Sequence, residues 1–291
     1  MKITLKICIP IFLIGVLSSW IYSEGDDGYF TYLRGKKQYV LVQGTGEPTI
    51  VFLTGKGRDC KDFKKVYDKL KKTNQIFAYD RAGIGQSEAF KGDRTVDTMA
   101  FELHALLVKE KINPPYILVG HALGTYIMRC YVNMYPKDVS GMVLVDPSHE
   151  YEFKQGLEIR SDSDKIVFRD DFKSYLKLEG KYKAHKAESK QCFDFDSSGF
   201  STNQRIVKDL KIPSDIPITI MIARKTDADN DYVNKEMEYR IQYFENWKIF
   251  NPKTIVISSY KIGHFIQKDA PDMVIEEVNK IIDKLKSKQN D

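Results

Sequence analysis

Apolar and polar positions follow two alternating periods along most of the chain. Short apolar or β-rich runs fall at Tyr39–Gln43, Thr49–Leu53, Gln75–Tyr79, Tyr116–Val119, Met142–Val145, Ile218–Ile222 and Thr254–Ser258. Runs this short with little polar interruption predict strands buried on both faces. Between them the period lengthens. Phe63, Val66, Tyr67 and Leu70 share one face of a predicted helix over Phe63–Lys72. Thr95 is placed to cap a second helix carrying Met99, Leu103, Leu106 and Leu107. Leu123–Tyr135 reads as a third, stopped by Pro136. A last helix opens on Pro271 and buries Val274, Val278, Ile281, Ile282 and Leu285. Gly44-Thr45-Gly46-Glu47-Pro48 joins the first two strands with turn chemistry, and glycines punctuate Asp80–Ser87.

Strand–helix alternation with unbroken apolar strands predicts an α/β fold, a mostly parallel central sheet with helices on both faces. Residues Tyr151–Leu210 break the rhythm, being charged, Ser-rich and weakly periodic. They are expected to form an inserted cap over the carboxyl edge of the sheet. The core is then 28–150 plus 211–287, and the cap 151–210. Residues 1–23 stand apart. Lys2 and Lys6 precede the apolar run Ile7–Tyr22, which reads as a signal peptide or an N-terminal anchor. An exported (secreted or periplasmic) or membrane-anchored protein follows, with membrane association through that segment.

Composition narrows the chemistry. The 291 residues are 42% hydrophobic, enough for one well-buried core. The net charge of +5 comes from 45 basic and 40 acidic residues without a long basic block, so a nucleic-acid partner is not expected. Beyond Cys8, the three cysteines Cys60, Cys130 and Cys192 are odd in number and scattered. They suit neither a disulfide framework nor a metal site and are expected to be buried or free thiols. Gly83-Ile84-Gly85 lacks the third glycine of a dinucleotide fingerprint. Neither cofactor nor metal is expected.

One motif carries the functional reading. Tyr116–Val119 runs into Gly120-His121-Ala122-Leu123-Gly124, and a helix follows. This resembles the G-x-S-x-G nucleophile elbow of the α/β-hydrolases, in the strand–turn–helix setting the motif requires. Asp80-Arg81-Ala82-Gly83-Ile84-Gly85-Gln86-Ser87 is similar to the D-R-x-G-x-G-x-S turn of that superfamily. Leu53-Thr54-Gly55-Lys56-Gly57 resembles its oxyanion loop, with Thr-Gly where His-Gly is commoner. Gly263-His264-Phe265, followed by Ala270-Pro271, resembles its terminal signature.

The resemblance implies roles. The backbone N–H groups of Lys56 and Leu123 would form the oxyanion hole, and the Lys56 side chain is read as solvated. His264 would be the general base and acid. Two carboxylates compete to orient it: Asp146, at the end of the strand after the elbow helix, and Asp227, after the next core strand. Asp146 is preferred, because Leu144–Glu150 resembles a strongly patterned segment of one subgroup. The remaining histidines, His104, His121, His149 and His185, have weaker claims, and His121 is expected to pack within the elbow.

The nucleophile position holds Ala122, whose methyl group cannot attack a carbonyl. Neither Thr125 nor Cys130 is a convincing substitute. The first expectation is therefore a pseudo-hydrolase without covalent catalysis that binds a small-molecule or protein ligand. A serine ester or amide hydrolase seen as its Ser-to-Ala variant ranks second. A His/Asp-dyad lyase or cofactor-free oxygenase ranks third. Small molecules of ester-like kind are the expected ligands. The cap aromatics Tyr151, Phe153, Phe168, Phe172, Tyr175, Phe193, Phe195 and Phe200 either line the pocket or anchor the cap.

Overall fold

A computed structural model describes residues 28–177, 185–195, 199–223, 231–259 and 261–288. The expected leader, 1–23, lies outside the described residues. Eight strands form one sheet: β1 (Tyr29–Leu33), β2 (Lys36–Gln43), β3 (Thr49–Leu53), β4 (Ile76–Tyr79), β5 (Tyr116–His121), β6 (Val139–Val145), β7 (Ile218–Ala223) and β8 (Thr254–Ser259). Their order is β1-β2-β4-β3-β5-β6-β7-β8. The pairs β1/β2 and β2/β4 are antiparallel, and every later pair is parallel. The elbow strand β5 therefore lies inside the parallel part, between β3 and β6.

Two differences from the sequence reading have simple causes. β2 and β3 are consecutive in the chain, but β4 inserts between them, so Gly44–Pro48 is a crossover and not a hairpin turn. β1 escaped prediction because Tyr29–Leu33 belongs to an edge hairpin. Phe30 and Tyr32 are exposed there, and the turn is Arg34-Gly35, both at positive φ.

Side chains alternate across the sheet and build two cores. Val51, Leu53, Phe77 and Leu118 face α2 (Val96–Lys109) and α3 (Leu123–Met134). Ile50, Phe52, Ile76 and Val119 face α1 (Lys64–Leu70) and a C-terminal helix, Pro271–Ser287. That last helix buries Val274, Val278, Ile281 and Ile282 as its spacing predicts. Thr95 occupies the cap position of α2, but its hydroxyl donates to Thr98 Oγ1 at 2.9 Å and caps no backbone group.

Four helices lie between β6 and β7: α4 (Glu152–Glu158), α5 (Asp162–Lys177), α6 (His185–Phe193) and α7 (Thr202–Lys208). Ser201 and Gln204 cap α7 reciprocally. After β7 comes α8 (Asp231–Glu245), which the sequence reading left blank. Phe244 is its one fully buried residue among those described, so its apolar stripe is narrow.

The glycines of the elbow are steric necessities. A Cβ on Gly124 would stand 2.1 Å from the Leu53 carbonyl oxygen, and one on Gly120 2.2 Å from Met128 Sδ. Without side chains there, β3, β5 and α3 approach closely enough to place the turn at the end of the sheet. Gly124→Ala is expected to destabilise the fold by about 2–4 kcal/mol, because the clash is with backbone that cannot step aside. Urea denaturation measures this, and a loss below about 0.5 kcal/mol would show that the contact is not as close as described.

Candidate functional site

The elbow forms where β5 ends and α3 begins. Ala122 sits at the tip with φ 45° and ψ −114°, a left-handed conformation that costs a non-glycine residue about 1–3 kcal/mol. Its N–H donates to the Val145 carbonyl at 3.3 Å, which ties the tip to β6. Thr125 does not reach the tip. Its hydroxyl donates back to the Ala122 carbonyl at 2.6 Å. Cys130 is buried in α3, and burial, reinforced by the nearby Asp97 charge, pushes its thiol up to about 12.

Asp146 ends β6 at φ 43°, also left-handed. His264 donates through Nδ1 to Asp146 Oδ2 at 2.6 Å. Asp146 Oδ1 accepts from the Ala223 N–H and from Arg240 Nη2, both at 2.8 Å. Burial works to raise the Asp146 carboxyl, but the Arg240 charge and the His264 bond outweigh it, and its pKa falls below the ordinary value. Asp146 is thus the carboxylate that meets His264. Asp227 lies outside the described residues.

Arg240 was not anticipated. It stands 94 positions beyond Asp146 on α8 and also donates through Nε to the Pro147 carbonyl at 3.0 Å. No local motif marks it, since only the tertiary fold brings α8 to the end of β6.

His121 is fully buried beneath the dyad. Its Nε2–H donates to the His264 carbonyl at 2.9 Å, and the two rings lie 4.5 Å apart. Burial first, and the His264 charge second, lower its pKa to about 4. His149 is buried against Tyr243, and burial together with the Arg240 and Arg129 charges lowers it to about 3. His104 stacks on Tyr135 at 3.7 Å, away from the site. The side chain of His185 lies outside the described residues.

The glycine-punctuated turn after β4 acts through hydrogen bonds. Asp80 accepts from the backbone N–H groups of Cys60 and Gln86 at 2.8 and 2.9 Å. Arg81 donates to the Thr54 and Gly55 carbonyls at 2.8 Å each, fixing the orientation of the loop ahead of Lys56. It also holds Glu188 of α6 in a buried bidentate pair at 2.9 and 3.1 Å. Glu188 accepts in turn from the Gly57 N–H at 2.8 Å. One ion pair therefore ties the helices over the site to the loop beneath them.

These elements enclose a cavity of about 700 Å³. Ala122, Leu123, Lys56 and His264 all line it, while Asp146 stands behind His264 and outside the lining. The Lys56 side chain departs from expectation. It is turned inward with Nζ 4.6 Å from the Phe193 ring centre, and burial lowers its pKa. Phe168, Phe193 and Phe195 line the cavity, whereas Phe153 is buried and stacks on Phe195 at 3.8 Å. Phe200 packs on Tyr151 instead. The side chains of Phe172 and Tyr175 lie outside the described residues. Cys192 also reaches the cavity, but burial holds its thiol up at about 12, and its Sγ accepts from Asn203 at 3.4 Å.

Comparison with known proteins bears on family and fold. The Hydrolase_4 family model, described as serine aminopeptidase, S33, matches residues 45–208, more than half of the chain. The chain belongs to this α/β-hydrolase family. The Bacillus subtilis protein YbdG, described as uncharacterized, is 35% identical over 114 residues, which take in 38% of this chain and 35% of YbdG. Of YqjL, from the same organism, the match spans 42%, so the chain covers well under two thirds of either relative. An AB hydrolase superfamily protein of Gibberella zeae is 22% identical over 81% of this chain and 86% of its own length. Among solved structures, the epoxide hydrolase CorEH without ligand superposes with a TM-score of 0.63 at 14% identity, covering 89% of this chain and 99% of its own. At that identity the likeness is one of fold.

The buried histidines of this Hydrolase_4 protein make its stability depend on pH. Each has a folded pKa below the unfolded value of about 6.5, so below that pH the unfolded chain binds more protons. The stability they permit is whole above pH 6.5. It declines as pH falls toward about 4 for His121 and about 3 for His149. Exposed carboxylates stay largely ionised down to about pH 4.5, so the histidines contribute strongly to the upper part of this window. Urea denaturation between pH 7 and 4.5 is expected to show falling stability, with a flatter slope in His149→Gln. An identical slope in the variant would contradict the assignment.

Proposed function

We propose that this protein takes a small molecule into the cavity above Ala122 without attaching it covalently. The observation that carries this reading is the alanine at the elbow tip beside an otherwise furnished site. The cavity, its aromatic wall and the His264–Asp146 pair are present, while the atom that would attack a carbonyl is missing. In this reading Lys56 and Leu123 offer backbone N–H groups to a ligand oxygen. The helices over the site act as the cap, and residues 1–23 direct export or anchoring.

A second reading is favoured by the dyad itself. Asp146 is buried, charged by preference and bonded to His264 at 2.6 Å, an arrangement that supports an imidazole acting directly on an acidic proton of the ligand. The fold does not choose between the two. It hosts an epoxide hydrolase in CorEH, and ring cleavage of the Pseudomonas quinolone signal in AqdC, whose variant superposes with a TM-score of 0.59 at 15% identity.

The chain is expected to resist labelling by a fluorophosphonate probe, and Ala122→Ser to acquire it. Turnover of p-nitrophenyl butyrate should rise at least about a hundredfold in that variant and fall back when His264→Ala is added. Stoichiometric labelling of the unaltered chain, mapped to the cavity, would defeat the non-covalent reading. Turnover of any substrate by the unaltered chain that is lost in His264→Ala would favour the second reading over pure binding.

A further inference from the structure

Five carboxylates around the site have a cation within ion-pair distance. Asp146 has Arg240, Glu188 has Arg81, Glu150 has Arg129, Glu236 has Arg160 and Asp62 has Arg58. Glu152, the first residue of α4, forms no ion pair and no side-chain hydrogen bond among the described residues. It also holds a particular place. It lines the main cavity together with Ala122 and His264, and it lines a second, adjoining cavity of about 100 Å³.

The walls of that smaller cavity share a chemical bias. Two of them are buried polar atoms without a hydrogen-bond partner among the described residues: His149 Nδ1 and Gln155 Oε1. Gln155 Oε1 is an acceptor, and burial keeps His149 neutral, so its Nδ1 accepts as well in the tautomer that carries the proton on Nε2. With the two Glu152 oxygens, the cavity presents acceptors in search of donors. The charged groups in the same walls are already engaged. Arg240 serves Asp146 and the Pro147 carbonyl, and Glu236 serves Arg160. Leaving buried acceptors unmet is unfavourable.

We propose that the smaller cavity seats the ammonium group of a primary amine, with the apolar body of that ligand passing Glu152 into the larger cavity beside Ala122 and His264. An ammonium brings three donors and no acceptor, which matches the Glu152, Gln155 and His149 set. It also brings the one positive charge that Glu152 lacks, which a water molecule in the same space does not. Burial, with Glu236 and Asp146 adding to it and Arg240 opposing, shifts the Glu152 carboxyl above its ordinary value, and an ammonium beside it would shift it back toward the charged form. The proposal rests on the non-covalent cavity reading above and adds the ligand class.

Calorimetric titration of the whole chain at pH 7.5 with 4-phenylbutylamine and with 4-phenylbutanol tests it. The amine is expected to bind at least about tenfold more tightly than the alcohol. Glu152→Gln should abolish that ratio by weakening the amine, and Gln155→Leu should reduce it. Equal affinities in the unaltered chain would mean that the small cavity holds water only, and would overturn the proposal. A preference that survives Glu152→Gln would overturn it too. If neither compound binds but the neutral dye Nile red is taken up and is excluded by Ala122→Trp, the amine class falls and the cavity reading stands. If the dye is also refused, both fall.

Discussion

The turn at Ala122 is the constraint on which the site depends. A residue with a side chain is held there at φ 45°, a conformation that L-residues avoid. The turn survives because its surroundings leave it no alternative. Gly124 allows α3 to lie against the Leu53 carbonyl, and the Ala122 N–H is tied to Val145. The consequence is geometric: the start of α3, the loop after β3 and the ends of β5 and β6 are brought to one point. In an enzyme with serine at the tip the strain serves to expose a nucleophile. Here a methyl group stands at the tip, and Ala122 and Leu123 line the floor of the cavity.

Buried charge organises what stands above that floor. Arg81–Glu188 joins α6 to the turn after β4 and to the loop after β3. Arg129–Glu150 joins α3 to the segment after β6, with Tyr243 of α8 donating to the same carboxylate at 2.8 Å. Asp146–Arg240 joins β6 to α8. Pairs of this kind add little net stability compared with apolar packing, yet breaking one costs about 3–5 kcal/mol because a lone charge remains. Their effect is to admit few arrangements of the upper helices over the sheet. The half-exposed His264 ring is therefore fixed from below by Asp146 and His121 and roofed by helices that cannot drift freely.

Much of this was legible in the sequence because local chemistry enforces it. Unbroken runs such as Tyr116–Val119 admit little besides buried strands, and the steric demands at Gly120 and Gly124 are visible as glycines. The D-R-x-G-x-G-x-S turn was legible as a motif although not as a mechanism. Its Asp80 binds two backbone N–H groups, and a Cβ at Gly85 would collide with that carboxylate at 2.1 Å. What escaped is whatever depends on pairing across long separations. Arg240 and Glu188 carry no local signal, since each gains meaning only from the fold that delivers it to Asp146 or Arg81. The inward turn of Lys56 escaped for the same reason, because nothing near it in the chain announces the Phe193 ring. Asp146 over Asp227 was a preference from patterning, and the direct bond from His264 to Asp146 gives it a physical basis.

The difference between what is missing and what is kept bears on function. A site freed of every chemical demand has no reason to hold an imidazole 2.6 Å from a carboxylate in a buried pocket, since each buried polar contact must offset its own desolvation. Here the pair has a second support in Arg240, whose charge helps hold the Asp146 carboxyl below its ordinary range. An arrangement of that kind favours an imidazole with fixed orientation and a Nε2 that remains open to the cavity. In either reading proposed above, such a nitrogen would bond a ligand oxygen or accept a proton from it. Both uses need a bound molecule and neither needs the hydroxyl that Ala122 lacks. The chemistry left to the site is therefore set by which atoms the two joined cavities bring against that one nitrogen.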